Sequence, residues 1–125
     1  MRCPLLALAA ATLAVVAAAG ACGGSGTTTA APAPGARRIA ITARSFSYDP
    51  ATITARPGED LAVALTSKDA VHNMVVEGAK VKIQAGKGKT TVGGVRLDRP
   101  GTYTFYCSIP GHRSAGMHGT ITVAP

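Results

Sequence analysis

The chain has 125 residues, no tryptophan, 4% aromatic residues and a formal net charge of +7. That length suits one domain, and lysines with no aromatic side chains among them argue against a nucleic-acid partner. The 46% apolar content overstates the core, because an alanine-rich start inflates it.

That start reads "MRCPLLALAAATLAVVAAAGAC". Arg2 is its only charge, and the apolar run from Leu5 to Ala19 is short for a membrane span. A basic start, a short apolar stretch and small residues at the end predict a secretory signal peptide over residues 1–21; an uncleaved anchor is the alternative. "AGAC", ending at Cys22, resembles a bacterial lipoprotein processing site, although Ala19 stands where leucine is commonest. The expectation is therefore lipidation of Cys22 and attachment to a membrane, with plain cleavage nearby as the other reading. Residues 22–36 carry no charge and almost no bulky side chain, so they predict a flexible tether. Such a coil reaches about 20 Å on average. Arg2 is the only charged residue before Arg37, so the processed chain carries +6.

From Arg37 to Pro125 the chain reads as short strands. Ile39 and Ile41 alternate with smaller residues, and "LAVALT" puts Leu61, Val63 and Leu65 on one face. "HNMVV" follows. "KVKIQAGKGK" then concentrates Lys80, Lys82, Lys87 and Lys89 and reads as a basic loop, solvated or facing an acidic partner or membrane. "TVGGVRL", "TYTFYC" and "MHGTITV" complete the set. Asp49-Pro50, Pro57-Gly58, Gly86 to Gly88, Pro100-Gly101 and Pro110-Gly111 punctuate these runs as turns. No segment has a helical period and none repeats. About seven strands in one domain over residues 37–125 predict an all-β sandwich of two packed sheets.

Cys107 is the one cysteine left in that domain. Exported proteins usually pair their cysteines, so a lone one there points to metal ligation. "CSIPGHRSAGM" places Cys107, His112 and Met117 at intervals of five residues. Side chains alternate along a strand, so Tyr103, Phe105 and Cys107 share an inward face. Met117 shares a face with Ile121 and Val123, which leaves His118 outward as a surface histidine. His72, in step with Met74 and Val76, is the natural fourth donor from a neighbouring strand. Each residue has an ordinary reading: a buried thiol, a loop histidine, a core methionine, a strand-edge histidine. Agreement in type, order and parity weakens all four together. Two imidazoles, a thiolate and a weak thioether are the donors of a blue-copper site. Zinc rarely takes methionine, and hard ions prefer oxygen.

"YCSIPGHRSAGMHGTITV", with "HNMVV" upstream, resembles the cupredoxins, the family of azurin, plastocyanin and auracyanin. The resemblance covers roughly Arg37 to Pro125, and the Cys-x4-His-x4-Met spacing is similar to that of auracyanins. It implies a Greek-key β-sandwich carrying one type 1 copper ion, with His72, Cys107 and His112 as strong ligands and Met117 as the axial one. It also implies that Asn73 ties the two ligand loops together and turns its N–H toward the cysteine sulfur. Val71 stands where azurins have a glycine whose carbonyl lies near copper, so no fifth ligand is implied. The expected role is electron transfer by a monomer at the outer face of the cytoplasmic membrane, with redox proteins docking near His112. Three histidines are too few for a multicopper oxidase, so no enzyme activity is expected. A copper carrier serving an exported enzyme is the alternative.

Overall fold

The computed structural model describes residues 30–125; the expected signal peptide and Cys22 lie outside them. Nine strands are formed, with no helix among the described residues: β1 (Arg37–Arg44), β2 (Ser47–Asp49), β3 (Thr52–Ala55), β4 (Asp60–Ser67), β5 (His72–Val76), β6 (Val81–Ala85), β7 (Thr90–Arg96), β8 (Gly101–Tyr106) and β9 (His118–Val123). They build two sheets, in the orders β2-β1-β4-β7 and β3-β9-β8-β5-β6. The expected all-β sandwich is therefore present.

The strand count exceeds the expected seven for local reasons. β2 and β3 are three and four residues long, too short for periodicity to declare them. β6 lies inside the lysine-rich stretch. Ile83 and Ala85 are buried while Gln84 between them is exposed, the alternation of a half-buried strand. "KVKIQAGKGK" is thus not one basic loop. β6 carries Lys80 to one end of the strand and Lys87 and Lys89 to the other.

Packing follows the alternation. In β4, Leu61, Val63 and Leu65 are almost fully buried. In β8, Phe105 is buried, and its ring meets Tyr48 edge-on at 5.0 Å between centroids. Gly119 in β9 lies under that ring, and a Cβ there would come within 2.4 Å of both Phe105 and the Ala51 carbonyl oxygen. Two pairings are parallel, β1 with β4 and β3 with β9. Before β1, Ala30 accepts a bond from the Gly94 N–H of β7 at 2.8 Å.

One end of the sandwich gathers the segments that matter most. β1, β4, β6 and β8 finish there, while β5, β7 and β9 begin there. The registers fix this: His72 lies opposite Ala85, Thr66 opposite Thr90, and Tyr106 opposite His118.

Candidate metal centre

Cys107 directly follows β8 and Met117 directly precedes β9, so the antiparallel β8–β9 pair brings the two ends of the loop together. The Cys107 N–H donates to the Met117 carbonyl at 3.1 Å, and the Met117 N–H donates to the His112 carbonyl at 3.1 Å. Inside the loop His112 N–H bonds Ile109 O, and Gly116 N–H bonds Arg113 O, both at 3.0 Å. Gly116 has φ +108°, a conformation glycine adopts without steric cost. It turns the chain back into the sheet.

β5 supplies His72 from the strand beside β8. Nitrogen atoms of His72 and His112 and the Cys107 sulfur all lie within 4.8 Å of one another. Cys107 Sγ and His112 Nδ1 are 3.4 Å apart. His72, Cys107 and Met117 have no solvent exposure, whereas His112 is half-buried. His118 is exposed, as its parity predicts.

The donor set also passes a chemical test. His72 Nε2 is bonded to Asp69 Oδ1 at 2.7 Å, but His72 Nδ1 is buried with no hydrogen-bond partner. An unpaired buried polar atom is costly, and a metal ion at the centre of the cluster would engage it. Thiolate, imidazole and thioether donors with no carboxylate among them suit copper.

A copper-binding family model, that of the plastocyanin/azurin proteins, matches residues 36–124. The chain belongs to that family. Cytochrome c oxidase subunit 2 of Thermus thermophilus is 30% identical over 94 residues, covering 72% of this chain and 67% of the relative. The plastocyanin of Nostoc punctiforme is 34% identical over 95 residues, covering 62% and 65%. Among solved structures, a dithionite-reduced auracyanin from Roseiflexus castenholzii superposes with a TM-score of 0.61 at 25% identity, covering 72% of this chain and 98% of that one. The chain thus spans about two thirds of the two curated relatives.

In this cupredoxin His72, Cys107, His112 and Met117 form a type 1 copper site. Around it lies a frame of hydrogen bonds. Asn73 Oδ1 accepts from the Ser108 N–H at 2.8 Å and from the Ser108 hydroxyl at 3.2 Å. The Asn73 side chain therefore ties the β5 segment to the cysteine loop, as the family pattern implies. The Asn73 carbonyl in turn accepts from the buried Tyr48 hydroxyl at 2.5 Å. Burial, and then the proximity of Cys107, push the Tyr48 hydroxyl pKa far up, so it remains a donor.

Sequence reasoning missed Asp69, Tyr48 and Phe46. Asp69 Oδ2 accepts from the Ser45 N–H at 2.9 Å while Oδ1 holds His72. That amide, and then the imidazole, lower the Asp69 pKa to about 2. The Phe46 ring stands edge-on to His112 at 5.1 Å. Of the three, only Asp69 left a local signal, a carboxylate three residues before a ligand histidine. Tyr48 and Phe46 come from the other sheet and its β1–β2 turn.

Proposed function

We propose that this cupredoxin carries single electrons between redox proteins outside the cytoplasm, without catalysing a reaction of its own. Bound copper supplies a one-electron Cu(I)/Cu(II) couple. The chain's part is to hold the donors in one arrangement through both states. Asp69 fixes the His72 ring and keeps its Nδ1 free for the metal, the usual service of a carboxylate behind a ligand histidine. Asn73 and Ser108 lock the two ligand segments to each other. Cys107 and Met117 are closed off from water. His112, half-buried on a loop of small residues, is the exit for the electron.

The observation that carries this reading is the burial of His72, Cys107 and Met117 in a prebuilt frame. Rapid metal exchange would need an open site. A visible and paramagnetic-resonance spectrum of the Cu(II)-loaded chain, taken through cycles of reduction and reoxidation, tests it. An intense visible band that returns on each cycle with copper retained is expected. Release of copper on reduction would instead indicate a carrier that delivers metal.

The tether is part of the proposal. A lipid on Cys22 would hold the domain at the outer face of the cytoplasmic membrane. Mass spectrometry of membrane-extracted protein should find a diacylglyceryl adduct on Cys22. Unmodified protein recovered only from the medium would overturn this.

A further inference from the structure

Asp69 lies on the connection from β4 of one sheet to β5 of the other. That connection is pinned along its length. The buried Ser67 accepts from the Gly88 N–H at 2.8 Å and donates its own N–H to Lys89 O at 2.9 Å, and its hydroxyl bonds the Ala70 carbonyl. The Lys68 N–H donates to Ala43 O of β1 at 3.0 Å. A side chain on so fixed a stretch presents its carboxylate in a set place.

The carboxylate reaches from one ligand histidine to the surroundings of the other. Oδ1 holds His72 Nε2 at 2.7 Å. Oδ2 accepts at 2.9 Å from the Ser45 N–H, which opens the two-residue turn between β1 and β2. The second residue of that turn is Phe46, whose ring stands edge-on to His112 at 5.1 Å. The His72 and His112 rings are in turn 5.1 Å apart between centroids. A closed circuit results, from His72 through Asp69 and Ser45–Phe46 to His112 and back.

We infer that Asp69 is the positioning residue for both imidazole ligands, and that its charge biases the site toward Cu(II) over Cu(I). The inference rests on the copper site described above and deepens the electron-carrier reading. A carboxylate that accepts the Nε2–H of a ligand imidazole makes the opposite nitrogen a stronger donor. It also sets a negative charge near the metal, which stabilises the more highly charged ion more. The second oxygen holds the turn that carries Phe46, and the Phe46 ring limits how far His112 can swing. Without the carboxylate the first ring loses its acceptor and the second loses its stop.

Asp69→Asn tests this in the full chain. The amide keeps the size of the side chain and one acceptor oxygen, but it gives up the charge and cannot serve both donors. Affinities for Cu(II) and Cu(I) are measured separately by chelator competition, and the potential by voltammetry. The Asp69 side chain is 45% exposed, so water screens its charge and the effect is moderate. Cu(II) affinity should fall by about tenfold and Cu(I) affinity by clearly less. The potential should then rise by ~59 mV for each tenfold of difference in a one-electron couple. Equal weakening of both states, or none, would reduce Asp69 to a fold contact and overturn the inference. The affinities decide this even if copper does not cycle; a parent chain whose colour fails to return after reduction would count against the electron-carrier reading alone.

The link to the second ring is read without metal. In nitrogen-15 spectra of the metal-free full chain, the His112 imidazole signals should move in Asp69→Asn, although Asp69 bonds Ser45 and His72 rather than His112. The signals of the exposed His118 should stay in place. Phe46→Leu removes the ring at the other end of the circuit and should move the His72 signals in turn. In the double variant the His112 shift should fall short of the sum of the single shifts, the mark of coupled positions. If His72 responds to Asp69→Asn while His112 stays still, or if the shifts simply add, Asp69 serves one ligand and the circuit is refuted. Should Asp69→Asn fail to fold, Phe46→Leu decides, because it alters a side chain that is 46% exposed; unmoved His72 signals there would sink the idea.

Discussion

The two sheets divide the labour at the metal centre. Every donor belongs to the five-stranded sheet: His72 opens β5, and Cys107, His112 and Met117 lie on the connection from β8 to β9. The four-stranded sheet contributes no donor, yet its β1–β2 hairpin supplies the Tyr48 hydroxyl on Asn73, the Ser45 amide on Asp69 and the Phe46 ring on His112. One sheet chooses the ion, and the other holds the choosers still. Losses on the first side should therefore appear in the spectrum, and losses on the second in stability.

The sharpest break is Cys107→Ser. It removes the thiolate, and the intense visible band of the copper-loaded chain should vanish; a variant that stays intensely blue would refute the assignment. Met117→Leu comes next on the same sheet. A weak thioether is lost, so the colour should persist while the reduction potential rises; voltammetry showing the parent potential would argue against Met117 as a ligand. Gly119→Ala tests packing between the donors and the core. A methyl group where Phe105 and Ala51 O already stand 2.4 Å away should cost about 1–3 kcal/mol in denaturant unfolding.

Tyr48→Phe probes the supporting sheet. It strips the buried Asn73 carbonyl of its donor, at about 1–3 kcal/mol, and should leave the visible band in place. If the band shifts as much as it does on losing a ligand, the division between the sheets is wrong. The smallest effect belongs to the far end. The Arg37 guanidinium, followed by the Arg56 amide, lowers the Glu59 pKa from 4.5 to about 2. A lowered carboxylate stabilises the fold above its ordinary range and loses that contribution as pH falls through the folded value. Glu59→Gln should slightly flatten the fall in stability between pH 4.5 and 2 without touching the spectrum.

What could be read from residues alone was local. The parity of Tyr103, Phe105 and Cys107, and of His72, Met74 and Val76, places the donors inside because alternation is a property of the single strand. β6 is masked in the sequence by its flanking lysines, although Val81, Ile83 and Ala85 alternate with Lys82 and Gln84 as a half-buried strand requires. Tyr48 and Asn73 are 25 residues apart, and nothing in either neighbourhood announces the other. The parallel pairing of β1 with β4 is likewise set by the assembled sheet.

The place of β9 has a consequence for how the protein is made. β9 is hydrogen-bonded between β3 and β8, so an early strand must wait for the last one to find its neighbour, and such distant pairings are slow to form. A nascent chain that already carries both histidine donors still lacks the wall that shelters them, and the methionine enters only with that final segment. The donors on the β8–β9 connection are therefore brought together only once β9 has paired with β8.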